Sequence, residues 1–177
     1  MKKPCMILLL ALILCLMFAC QDKAAMAELE EFRAQAAVEE QNKEVVRRYF
    51  ELMDEGNPAF LDLLSEDYVA YFPGGVDFKG RENIRKMVDD YFTAFPDLTH
   101  SFSDFVAEGD KVVIRYGDGG THQGVFNGIP ATGAEIKVTA IGIFRLKDGK
   151  MVEGWIEGDF LGMMMQLGME LKPKEEK

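Results

Sequence analysis

The sequence predicts an α+β domain in which helices lie against one face of a curved antiparallel sheet. Three observations predict it: apolar residues recur at helical spacing in the N-terminal half, they recur at every second position after Leu98, and glycine-containing turns divide that second region into short runs. With 177 residues, 48% of them hydrophobic and 11% aromatic, the chain suits one core plus some extra segments and leaves no room for a second domain.

Lys2 and Lys3 precede an apolar run from Met6 to Ala19, after which Cys20 meets polar sequence. The run is shorter than the roughly 18 residues of a membrane span, and basic residues, apolar stretch and small residue follow signal-peptide order. Residues 1–19 are therefore expected to be a cleaved leader. The segment LMFAC, ending at Cys20, resembles the lipobox of bacterial lipoproteins, with Met17 where leucine is usual. The resemblance implies acylation of Cys20 and anchoring to the envelope, and Gln21 in place of aspartate implies the outer membrane. Plain cleavage after Ala19, leaving a free thiol, is the alternative. All three cysteines, Cys5, Cys15 and Cys20, belong to this segment, so the mature chain can build no disulfide framework.

Residues 20–41 are rich in Ala, Glu and Gln with sparse apolar positions (Met26, Leu29, Phe32, Val38), which predicts a tether or outer helix without a full core stripe. Val45, Val46, Tyr49, Phe50 and Met53 make a stronger helical face, stopped by Gly56-Asn57-Pro58. Residues 59–64 read as a short helix and 67–72 as a short strand closed by Pro73-Gly74-Gly75. From Arg81, the residues Ile84, Met87, Val88, Tyr91, Phe92 and Phe95 give the clearest amphipathic helix, ended by Pro96-Asp97.

The period then becomes two: Phe102, Asp104 and Val106; Val112, Ile114 and Tyr116; Ile136, Val138 and Ala140, with turns at Glu108-Gly109-Asp110 and Lys147-Asp148-Gly149. A methionine-rich amphipathic turn follows Asp159, and residues 169–177 form a charged tail.

Net charge is −10, and loss of Lys2 and Lys3 with the leader takes it to −12. So acidic a chain repels phosphate backbones, and no Lys/Arg cluster with interleaved aromatics is present, so nucleic acid is not an expected partner. His100 and His122 are far apart and every cysteine lies in the leader, so no metal is expected. Gly117-Asp118-Gly119-Gly120 lacks a phosphate-loop fingerprint and a following helix, so no nucleotide or other cofactor is expected.

Two groups could carry chemistry. On the last strand, alternation puts Glu153, Trp155, Glu157 and Asp159 on one face and Val152, Gly154, Ile156 and Gly158 on the other. If the acidic face lines a cavity, Glu157 raises the proton affinity of Asp159 and Trp155 supplies an apolar wall. If it faces solvent, Asp159 caps the helix that begins at Phe160. His122, in the glycine-rich segment GGTHQG, is either a group beside a ligand or a hydrogen-bonded structural histidine; His100 has no motif around it. The methionines, Met53, Met87, Met163, Met164, Met165 and Met169 among them, suit either a core or a plastic pocket.

The order NKEVVRRYFELMDEGN, GRENIRKMVDDYFTAFPDL, GTHQGVFNGIPATG, FRLKDGKMVEGW and GDFLGMMMQLG, over residues 42–168, resembles SnoaL-like polyketide cyclases. The resemblance implies an NTF2-like cone: a strongly curved antiparallel sheet covered by three helices from the N-terminal half, enclosing an apolar pocket. It implies ester-cyclase-type acid/base chemistry on a small hydrophobic carbonyl compound, with Asp159 as general acid/base and His122 near the substrate. Trp155, Phe50, Met53, Met87, Tyr91 and Glu157 are the pocket residues it suggests. Met53 and Met87 stand closest to positions where antibiotic cyclases carry Tyr and Asn, and the GxPPTG turn reads Gly128-Ile129-Pro130-Ala131-Thr132-Gly133. A non-catalytic ligand-binding lipoprotein of the envelope is the alternative, and an apolar outer sheet face would favour a homodimer.

Overall fold

The computed structural model describes the backbone of residues 3–173 and the side chains of residues 23–173, so the leader and Cys20 readings rest on side chains outside the described residues. The chain divides into two compact units, residues 1–38 and 39–177. The first is helical from residue 3 onward, within α1 (Lys3–Asp54), and every side chain of residues 23–38 is exposed. Over residues 23–38 the apolar side chains, Met26, Leu29, Phe32 and Val38, make no complete stripe to bury.

In the second unit, α1 ends with Val46, Tyr49, Phe50 and Met53 buried on one face. A 3₁₀ helix follows at Pro58–Leu63, where the Asn57 side chain accepts a hydrogen bond from the Ala59 N–H at 3.0 Å. Then come β1 (Leu64–Phe72), β2 (Val76–Lys79), α2 (Arg81–Ala94), β3 (Thr99–Glu108), β4 (Lys111–Thr121), β5 (Glu135–Lys147), β6 (Lys150–Gly158) and α3 (Phe160–Gln166). β2 escaped the sequence reading because it is four residues long and mostly exposed, too short to show a period.

The six strands form one curved sheet in the order β2-β1-β6-β5-β4-β3. Every pair is antiparallel except β1 with β6, which is parallel, against the expectation of a wholly antiparallel sheet. The cause is connectivity. β1–β2 is one hairpin, β3 to β6 is a meander, and the meander works back across the sheet until its last strand meets β1. Strands joined by tight turns must be antiparallel, whereas strands joined only through a long crossover are free to run together.

Between the concave sheet face and the helices lies the main core, in which Tyr68, Phe144, Met151, Ile84, Ile114 and Leu64 are fully or almost fully buried. Phe50 packs edge-on against Phe144, and also against Phe102 and Tyr116. Gly154 on β6 is required here, since a Cβ would collide with Tyr68 Oη and the Phe144 ring. A smaller cluster, built on Phe95, Leu98, Ile136, Met163 and Leu167, holds α3 against β5.

Register corrects two assignments. An irregularity between Phe102 and Asp104 lets Phe102 and Phe105 both pair with inward residues of β4, so Asp104 and Val106 face out. On β6 it is Gly154 and Ile156 that face the core. Val106, Val113, Ile143, Trp155 and Tyr71 are successive cross-strand partners and form an apolar row on the outer face. Trp155 stacks on Tyr71 in this row, with rings 5.6 Å apart, and the Arg145 guanidinium lies over the Trp155 ring at 5.7 Å from its centre.

Candidate active site

The cone encloses a cavity of about 730 Å³. Its walls are mainly apolar: Phe50 and Met53 from α1, Met87 and Tyr91 from α2, Phe144 from β5 and Ile156 from β6 all line it. Exposed residues of three segments stand at its edge, Pro73 and Val76 from the β1–β2 hairpin, Thr93 from α2, and Val125 and Asn127 from the loop before β5. A volume of this size holds a small organic molecule.

The polar lining has an order. Tyr49, Tyr68 and Tyr116 each border the cavity, and none of their hydroxyls has a hydrogen-bond partner among the described residues or is sealed away from it. Burial raises the pKa of all three phenols, so they stay neutral and able to donate. Tyr91 is raised for the same reason, and its hydroxyl donates to Met163 Sδ at 3.6 Å.

Beside Tyr116, two residues further along the same face of β4, lies Asp118. Its cross-strand partner is His100 on β3, which also lines the cavity. The side chain of Asp118 is 12% exposed and that of His100 is 7% exposed. His100 Nδ1 is 2.5 Å from Asp54 Oδ1, at the end of α1, and the His100 backbone N–H donates to Asp54 Oδ2 at 3.0 Å. With Nδ1 hydrogen-bonded to Asp54, the other ring nitrogen, Nε2, faces Asp118 Oδ1 at 3.7 Å. Burial pushes the Asp118 carboxyl up to about 6; Asp54 adds to the rise and His100 opposes it. A carboxyl titrating there can both take and return a proton near neutral pH.

The residues expected from the sequence divide into two sets. Phe50, Met53, Met87 and Tyr91 line the cavity. Trp155 and Glu157 do not: they lie on the outer sheet face, because the inward register of β6 belongs to Gly154 and Ile156. Asp159 is exposed and its Oδ1 accepts the Gly162 N–H at 2.8 Å, so it is the N-cap of α3, while its neighbour Phe160 reaches the cavity. His122 is 0% exposed and stacks on Phe95 in the smaller core cluster. Its Nδ1 accepts the Thr132 N–H at 3.3 Å, and it is not among the cavity residues. The structure thus separates Asp159, His122 and Trp155, which the sequence reading had grouped.

His100 and Asp118 were passed over although a signal existed. The alternation Val112, Ile114, Tyr116 continues to Asp118, and Asp54 lies one helical turn after Phe50. What the sequence withheld was the register of β3 on β4, which sets His100 opposite Asp118.

A family model described as SnoaL-like polyketide cyclase matches residues 43–167. No curated protein sequence matches the chain. Among solved structures, a protein of Jannaschia sp. CCS1 assigned as a SnoaL-like polyketide cyclase aligns at 26% identity and TM-score 0.69, covering 75% of this chain and 95% of its own. IdmH of Streptomyces antibioticus, assigned as a polyketide cyclase, aligns at 30% identity and TM-score 0.65, covering 73% and 99%. AclR of Streptomyces galilaeus, assigned as a hydroxylase, aligns at 25% identity and TM-score 0.68, covering 77% and 87%. Curved sheet, apolar cavity and a matched stretch running from α1 to the end of α3 agree: this chain belongs to the SnoaL-like polyketide cyclase family.

Proposed function

We propose that this protein is an acid/base enzyme of cyclase or isomerase type that acts on a small hydrophobic carbonyl compound. Family membership supports the reaction type. The single observation that carries the reading is the cavity itself, apolar on most sides and lined by neutral phenols, a histidine and two carboxyls, the buried Asp118 and the exposed Asp90. Phenol O–H groups in a mainly apolar cavity stabilise the oxyanion that forms when a proton leaves the carbon next to a carbonyl. A second polar group then returns a proton to the new alkoxide or carbon. The test is deuterium exchange and ring closure of an open-chain 1,3-dicarbonyl methyl ester, followed by NMR. Acceleration over buffer is expected; none, at saturating protein, defeats the catalytic reading.

One observation favours a second reading, a ligand-binding lipoprotein of the envelope held at Cys20. Asp159, to which the family resemblance gives the proton, is committed to the α3 cap. Asp159→Ala is expected to cost about 1 kcal/mol of stability, whereas Asp159→Asn keeps a capping oxygen and should cost little. Thermal melts check this. If Asp159→Asn melts like the wild type yet loses turnover of the dicarbonyl ester, the capping account is incomplete and Asp159 carries the proton. The binder is recognised by native mass spectrometry showing a retained hydrophobic ligand with no turnover.

A further inference from the structure

We propose that the proton acceptor of this cavity is Asp118, held in place by the Asp54–His100 pair. The inference rests on the catalytic reading above and names the residues that carry it out. Three placements support it. β4 sends Val112, Ile114, Tyr116 and Asp118 to one face, so the carboxyl enters the cavity as the polar end of an apolar stripe. Antiparallel register puts His100 directly opposite, and Asp54 grips that histidine twice, at the ring and at the backbone.

The two oxygens of Asp118 are unequal. Oδ1 is shut away without a hydrogen-bond partner, facing His100 Nε2 at 3.7 Å. Oδ2 has no protein partner among the described residues and is not shut away, so it opens to the cavity that Asp118 lines. No lysine or arginine lines that cavity among the described residues, so His100, when protonated, is the lining group able to compensate a negative charge there. A carboxylate that is dry on one side, open on the other and lightly compensated is a strong base for its type. His100 acts through Asp118 and is a positioning residue, as is Asp54 behind it.

The titratable groups that face Asp118 are His100 on β3, Asp54 at the end of α1, Tyr91 on α2 and Tyr116 on its own strand; Asp90 of α2 lines the same cavity from its exposed side, and the β5 partner of Asp118, Val138, adds none. Their signs fix what a pH profile should do. Activity that needs ionised Asp118 rises with pH through about 6 and then levels. His100 opposes the upward shift and Asp54 adds to it. His100→Gln should therefore move the midpoint up and Asp54→Asn should move it down.

The probe is 5-nitrobenzisoxazole, an uncharged aromatic that needs only a base. Asp118 Oδ2 takes the C3 proton, the C–H electron pair completes the nitrile, the N–O bond breaks, and 2-cyano-4-nitrophenolate leaves with that bond's electrons. Asp118 then returns its proton to solvent. The full chain should accelerate this reaction, with the pH profile just given, and Asp118→Asn should lower kcat/KM by about 100-fold or more while still melting cooperatively. Activity retained in Asp118→Asn, or a wild type no faster than that variant, overturns the proposal; a midpoint unmoved in both His100→Gln and Asp54→Asn overturns their positioning role. The two readings fail separately. Acceleration of the probe without turnover of the dicarbonyl ester leaves Asp118 as the base and removes the cyclase reading, and the reverse result removes Asp118 alone.

Discussion

At pH 8, Asp118→Asn is expected to stabilise the protein by roughly 2 to 3 kcal/mol, and at pH 4 the gain should largely vanish. The carboxyl titrates near 6 in the folded chain, above its ordinary value of 3.8, because burial disfavours the charge. Between those two values the folded state holds a proton that the unfolded state has lost, so wild-type stability falls as pH rises through this window. Above it the penalty is complete. Asparagine has nearly the same shape and no charge to bury, so the difference between the two proteins isolates this one group. Urea titrations at a series of pH values measure it. A difference that stays flat from pH 4 to pH 8 would show that the burial of Asp118 costs nothing. Combined with a loss of activity, the expected result is a site kept at the expense of stability.

Phe144→Ala should be the most damaging single truncation, costing about 3 to 5 kcal/mol. Phe144 is 1% exposed, touches Phe50 across the core and lies over Gly142 and Gly154, whose missing side chains make room for it. Removing the ring empties space that the rigid sheet cannot close, and at the same time takes away part of the cavity wall. Denaturant midpoints give the size of the loss. A cost below about 1 kcal/mol would mean that neighbouring side chains refill the site.

Much of this fold could be read from the chain. The periodic faces of α1 and α2 are there in Val46, Tyr49, Phe50 and Met53 and in Ile84 and Val88, and the structure buries those residues. The α+β class follows from the change to alternation after Leu98. Period two, however, cannot say which face of a strand is inside. Trp155 looked like a pocket wall because it is large and apolar, yet β6 turns it outward to stack on Tyr71. Phe50, Met53, Met87 and Tyr91, which the family resemblance suggested and which also fall on helical apolar stripes, line the cavity. Asp54, His100 and Asp118 were missed because they lie in three separate elements, and only the pairing of β3 with β4 and the end of α1 brings them together.

The parallel pairing of β1 with β6 also sets an order of events. β1 leaves the ribosome early, but the strand it must lie beside begins only at Lys150. Until then one side of β1 has no neighbour, and Tyr68, whose hydroxyl lies against Gly154 of β6, lacks that part of its surroundings. Non-local pairing of this kind forms late and leaves apolar surface open while the chain is being made. The last strand to be synthesised is therefore the one that seals the cavity, and a ribosome that stalls before Lys150 would release a sticky half-cone.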